Sequence, residues 1–138
     1  MIHLIYVSSA TKEMTESDLL ELLKKARERN AEKNITGMLL YANQNFIQIL
    51  EGDSDDVLDI YHRILNDTRN TGNIIIQKKA IADRSFPDWT MGFKHISNAE
   101  IEATDGFSAF FQNKGNFEHL KQQSQGVVNM LYSFNSNM

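Results

Sequence analysis

The chain has no cysteine, one proline, one tryptophan and 7 glycines among 138 residues. Without thiols there are no disulfides, no thiolate metal ligands and no cysteine nucleophile. No apolar run approaches the roughly 20 residues that a membrane helix needs. Residues 1–9, MIHLIYVSS, lack both the basic start and the long apolar stretch of a signal peptide, so a cytoplasmic protein is expected. An excess of positive charge is also missing. The 14 basic and 18 acidic residues leave a formal net charge of −4, which gives no reason to expect nucleic acid or an anionic membrane surface as a partner. There is no GxGxxG and no Walker loop to cradle phosphates, and no repeat or low-complexity linker divides the chain. What remains is 41% hydrophobic content, enough for one domain with its own core.

Periodicity predicts a strand over about 2–8, IHLIYVS, rich in branched and aromatic residues. Thr15-Glu16-Ser17-Asp18 resembles a capping box, opening a helix that runs to about residue 32. Strands at Thr36 to Tyr41 and Phe46 to Glu51 follow, joined by the turn-prone Ala42-Asn43-Gln44-Asn45. A second helix starts at Asp53 or Ser54 and runs to about Arg69, with Asn70-Thr71-Gly72-Asn73 as its stop. Further strands are expected at about 73–82 and, beyond Pro87, at 89–96, then helices near 99–112 and 116–134.

The order βαββαβ plus one more strand fits an α+β, ferredoxin-like sandwich. In the first strand, Ile2, Leu4, Tyr6 and Ser8 point one way and His3, Ile5 and Val7 the other. Phe46, Gln48 and Leu50 oppose Ile47 and Ile49 in the same manner. A sheet apolar on both faces needs cover on both, and the two inner helices shield one. The C-terminal segment carries Phe117, Leu120, Val127, Leu131 and Phe134 at roughly helical spacing and is expected to cover the other. The expected division is therefore 1–97 for the domain and 98–138 for a helical extension packed on its sheet.

Three polar residues do not suit a plain core. Gln48 lies between Phe46 and Leu50, Tyr6 occupies the matching register of the first strand, and Asn30 shares the face of Leu23 and Ala26 on the first helix. A buried primary amide is costly unless partnered. Pattern alone leaves two readings open: a self-satisfied polar network, or the edge of a ligand site.

The chain resembles the BLUF family, sensors of blue light using FAD. The resemblance covers residues 2–97 and rests on Leu4-Ile5-Tyr6-Val7-Ser8, Asn30, Ile35-Thr36-Gly37-Met38-Leu39-Leu40-Tyr41, Phe46-Ile47-Gln48-Ile49-Leu50-Glu51-Gly52, Tyr61-His62-Arg63-Ile64, Asp67-Thr68-Arg69 and Trp89-Thr90-Met91. It implies FAD held between the first two helices. Tyr6 matches the tyrosine that passes an electron and a proton to the photoexcited flavin, and Gln48 the glutamine that bridges the two. Asn30 matches the asparagine on the pyrimidine edge. Leu22, Met38, Phe46 and Ile64 fall on ring-packing positions, which pattern alone reads as core. Arg63, Asp67 and Arg69 match the region near the ribityl and phosphate groups. Trp89 and Met91, two apart and so expected on one strand face, match the output segment. Two residues depart from the family pattern: Arg29 stands where histidine or asparagine is frequent, and Asn70 where histidine is. The missing cysteine also excludes the other common blue-light flavin chemistry, an adduct to the ring.

With 138 residues the expectation is a short sensor without a cyclase, phosphodiesterase or kinase domain. It would not itself be an enzyme, would signal in trans to an unidentified protein, and could form a homodimer or larger homo-oligomer. Two alternatives stand beside it: an acylphosphatase-like hydrolase and a cofactor-free regulatory module. Against the hydrolase, His3, His62, His95 and His119 show no metal spacing, Lys78-Lys79 reads as a solvated pair, and Ser8-Ser9-Ala10-Thr11 has no glycine.

Overall fold

A computed structural model describes residues 1–96 and 124–133. In chain order the elements are β1 (Ile2–Ala10), α1 (Glu16–Glu32), β2 (Thr36–Ala42), β3 (Asn45–Gly52), α2 (Ser54–Leu65), β4 (Asn70–Ala80), β5 (Gly92–His95) and α3 (Ser124–Ser133). The strands form one sheet in the order β4-β1-β3-β2-β5. β1 to β4 pair antiparallel, and β5 adds to β2 in parallel. This is the expected ferredoxin-like order with one added edge strand.

Local chemistry explains most of the boundaries. Thr15 and Asp18 close the capping box at 3.1 Å in both directions, with aspartate doing what glutamate usually does. Its bonds to the Thr15 backbone and hydroxyl hold the Asp18 carboxyl below its usual range. Asn43 and Gln44 both take positive φ, 51° and 62°, which a two-residue hairpin demands and asparagine tolerates well. The second helix stops at Leu65, short of the expected Arg69. Asn66 Nδ2 donates back to the His62 carbonyl at 3.1 Å, and Asp67 Oδ1 accepts the Arg69 backbone N–H at 2.9 Å. These side chains offer the backbone an alternative to the helix. Asn70, expected as part of the stop, instead opens β4 and donates to the Ile64 and Asp67 carbonyls.

The sheet carries two cores. Leu4, Tyr6, Leu39, Phe46 and Leu50 meet Leu19, Leu23, Val57, Ile60 and Ile64 of α1 and α2. On the far face Ile5, Val7, Met38, Leu40, Ile47 and Ile49 meet Phe86 and the α3 residues Val127, Val128, Met130 and Leu131. The described part of the C-terminal segment thus covers the second face; Phe117, Leu120, Phe134 and the stretch expected as a helix at 99–112 lie outside the described residues.

Residues 81–91 run between β4 and β5, and a buried acid anchors their first turn. Glu51, fully buried at the end of β3, accepts the backbone N–H groups of Ser85 and Phe86, each at 2.8 Å. Arg84 ties the same turn to Thr36 Oγ1 and to the carbonyls of Glu51 and Asn34 at 2.7–2.8 Å. Glu51→Ala would strand two donors, each costing about 1–3 kcal/mol when left unmet. The expected loss is about 3 kcal/mol, read as a lower urea midpoint at unchanged slope, with Glu51→Gln losing less because its amide oxygen still accepts.

Candidate functional site

The site is a cleft between α1 and α2 above the helix-covered sheet face, enclosing about 480 Å³ with its open mouth included. Its floor is set by strand register. Tyr6 and Gln48 are direct cross-strand partners of β1 and β3 and therefore project to the same side. Tyr6 Oη donates to Gln48 Oε1, and Gln48 Nε2 donates to the Met91 thioether at 3.3 Å. All three side chains are buried. The Tyr61 ring tilts against Tyr6 at 5.3 Å between centroids. Burial pushes the Tyr6 phenol well above the ordinary tyrosine range, opposed in part by the charge of Arg29.

Leu22, Lys25, Ala26 and Arg29 of α1 form one wall, spaced three and four residues apart. Ile64, Asp67, Arg69 and Asn70 form the other. Arg69 grips Asp67 with Nε at 2.9 and 3.1 Å and Nη2 at 2.5 Å. The hydrogen bonds from Arg69 hold the Asp67 carboxyl below its usual range, and those to Asp67 raise the Arg69 guanidinium. Burial pushes Arg29 below the usual guanidinium range.

Of the residues singled out in the sequence, Tyr6, Leu22, Phe46, Gln48, Ile64, Asp67 and Arg69 line the cleft. Asn30, fully buried one turn beyond Ala26, donates through Nδ2 to the Thr90 carbonyl at 2.8 Å. Three placements differ from expectation. Met38 pairs with Ile49 and faces the far core; its neighbour Leu39, opposite Gln48, faces the cleft. Arg63 does not line the cleft but meets Asp59, one helical turn away, at 3.2 Å. Trp89 and Met91 do not share a face: β5 begins only at Gly92, so two-residue alternation does not govern them, and Trp89 packs on the far core while Met91 sits on the cleft side. Lys25, Ala26 and Leu39 are lining residues that the sequence reading passed over. The 3.6-residue repeat from Leu22 reaches the first two, and parity through the β2–β3 pairing reaches the third.

The family described as BLUF, sensors of blue-light using FAD, matches residues 1–92. The chain belongs to the BLUF family. Relatives include the photoactivated adenylate cyclase subunit beta of Euglena longa, 39% identical over 89 residues, 64% of this chain and 10% of that protein. The subunit beta-like protein FB of Euglena gracilis is 38% identical over 102 residues, 73% of this chain and 12% of that protein. The chain spans about a tenth of the length of these curated relatives. Among solved structures, BlsA in its photo-activated state superposes with a TM-score of 0.75 at 30% identity, covering 95% of this chain and 94% of that one. The BLUF protein BlrB in its dark state gives 0.77 at 23% identity, covering 99% and 96%, a likeness of fold. Among the described residues no helix is long and apolar enough to cross a membrane.

The BLUF cofactor is FAD, and the cleft fits such a group. Arg29 Nε and Asn70 Oδ1, on opposite walls of the cleft, are buried with no hydrogen-bond partner among the described residues, as is Asn30 Oδ1 on the same helix as Arg29. Buried polar atoms are rarely left so. A ring with a polar edge and a polar tail brings the donors and acceptors that these atoms lack, and Leu22, Leu39, Phe46 and Ile64 supply apolar walls for its faces.

The raised Tyr6 value has a testable sign. A group whose folded value lies above its unfolded one stabilises the fold fully below the unfolded value, near 10.0 for tyrosine, and loses that contribution as pH rises through the folded value. Tyr6→Phe should therefore flatten the alkaline fall in unfolding free energy above about pH 10, measured by denaturant titration at a series of pH values.

Proposed function

We propose that the chain is a blue-light photoreceptor that is not itself an enzyme, with FAD held non-covalently between α1 and α2 and with Tyr6 and Gln48 as the photoactive pair. Bound FAD supplies absorption of blue light and an excited state that accepts an electron. The observation that carries the reading is the continuous chain from Tyr6 Oη through the Gln48 amide to the Met91 sulfur at the floor of a cleft rimmed by orphaned polar atoms. Tyr6 enters the reaction protonated, since burial holds its phenol neutral, so its electron and its proton leave together or in close succession. Gln48 is the element that reverses. Its planar amide end carries donor and acceptor side by side, so turning it over, or exchanging its tautomer, inverts the network without moving backbone. In the turned state Nε2 faces Tyr6 and Oε1 faces Met91, where two acceptors then oppose each other.

Around that pair, Leu22, Leu39, Phe46 and Ile64 pack the ring and exclude water. Asn30 meets its polar edge through Oδ1. Lys25, Arg29 and Arg69 supply positive charge for the ribityl and phosphate groups, with Asp67 fixing the Arg69 fork. Arg63 and Met38 stand outside this set. Residues 1–97 act as the sensor and 98–138 as its extension, of which α3 covers part of the far face. The signal passes in trans to a second protein, with a homodimer or larger homo-oligomer as the natural assembly.

The purified protein should be yellow, and blue light should shift its flavin band reversibly to longer wavelength. Tyr6→Phe and Gln48→Ala should each retain flavin and lose the shift. A colourless protein that refuses added FAD would sink the reading; a full shift in either variant would reassign the pair. Met91→Ala removes the sulfur that accepts from Gln48 Nε2 while leaving the Tyr6–Gln48 hydrogen bond in place. It should keep the shift while reducing light-induced change in amide exchange of β5, followed by mass spectrometry.

A further inference from the structure

Trp89, Thr90 and Met91 are three successive residues whose carbonyls are each held by a different donor. The Trp89 carbonyl accepts the Gly37 backbone N–H of β2 at 3.1 Å. The Thr90 carbonyl accepts Asn30 Nδ2 at 2.8 Å, and the Met91 carbonyl accepts Arg27 Nε at 3.0 Å. Two of the three donors are thus side chains on one face of α1, three residues apart. The regular ladder with β2 begins only at Gly92, so α1 and not the sheet holds the last two of these carbonyls. Farther along, Gly92 has no side chain where the Trp89 ring lies: a Cβ there would stand 2.4 Å from that ring and 2.7 Å from the Met38 sulfur. Trp89 on the far face and Met91 under Gln48 are therefore two ends of one short segment, fixed by one backbone bond from β2 and by two side chains of α1.

We propose that Arg27 is a positioning residue for the light response, the clamp that keeps residues 89–91 in the arrangement with Met91 at Gln48 and Trp89 on the far core. Arg27 does not line the flavin cleft. It lines a separate surface groove with Asp88, Trp89, Thr90, Met91, Gly92 and Phe93. A guanidinium donating to a carbonyl makes a charge-assisted bond, stronger than a neutral one. A change at the Gln48–Met91 contact reaches Trp89 only if the intervening backbone moves as a unit, and Arg27 joins that backbone to α1. The inference rests on the photoreceptor reading.

Trp89 is the sole tryptophan of the chain, so its fluorescence reports this segment directly. In the flavin-loaded protein, Arg27→Ala should keep the wild-type red shift, while the light-induced change in Trp89 fluorescence falls by about fivefold, a ratio corresponding to about 1 kcal/mol of coupling. Arg27→Lys, which restores a charged donor, should recover part of that change; a role in stability alone would not move this readout while leaving the red shift in place. A full Trp89 response in Arg27→Ala, or none in the wild type despite a normal red shift, would overturn the clamp. Absence of any red shift in the wild type would instead overturn the photoreceptor reading.

Discussion

β1 and β3 lie at the middle of the sheet, and their register sets Tyr6 directly opposite Gln48. Everything in the site depends on that alignment. A slip of one residue would carry every side chain of a strand to the opposite face, taking the phenol or the amide out of the cleft and placing a branched aliphatic in its stead. The register is held because both faces are buried. Leu4 and Leu50 flank the pair on the helix side, while Ile5, Val7, Ile47 and Ile49 fill the far core. A slip would therefore damage two cores at once. Burying both faces fixes the relative position of two polar groups more tightly than a half-exposed sheet could.

The same constraint accounts for the packing beyond the sheet. A far face made of Ile5, Val7, Met38, Leu40 and Ile49 must be covered, and α3 together with Phe86 and Trp89 supplies that cover. Glu51 is central to it. By taking the N–H groups of Ser85 and Phe86 it bends the chain back over the far core, and the segment then returns to meet β2 with Met91 on the near side. One connection thus touches both cores, so a change at the floor of the cleft has a short covalent route to the surface that α3 packs against. Bistable elements of this kind need few moving parts.

Much of this was legible in the sequence, and the reasons differ residue by residue. Tyr6 and Gln48 stand out because strand alternation places a polar side chain among apolar ones, and alternation is reliable inside a strand. Asn30 stands out by the equivalent helical argument. The resemblance puts Met38 at the ring, and β2 by itself offers no check because both of its parities are apolar; only the pairing of Leu39 with Gln48 decides which residue faces the cleft. Strand alternation from 89 would give Trp89 and Met91 one face, whereas Asn30 and Arg27 of α1, distant in sequence, hold the Thr90 and Met91 carbonyls, and regular pairing with β2 begins only at Gly92. Arg63 lies on the helix near the cleft in sequence but reaches back to Asp59, a choice of rotamer that composition does not encode.

The unpartnered atoms of the cleft bear on how sensing and stability compete. Arg29 Nε and Asn70 Oδ1 are buried without partners among the described residues, and each such atom costs free energy in a dry setting. The fold tolerates them because the surrounding elements are over-determined: the capping box starts α1, Asn66 and Asn70 finish α2, and the two-sided core fixes the sheet between them. A ligand that satisfies those atoms stabilises the folded state by mass action, in part through Arg29 of α1. The helix that meets the ligand is also the helix whose Asn30 and Arg27 hold residues 90 and 91. On the proposed reading, cofactor grip and signal transmission share one element, so a change in contacts at the ring would need no separate path to reach residues 90 and 91.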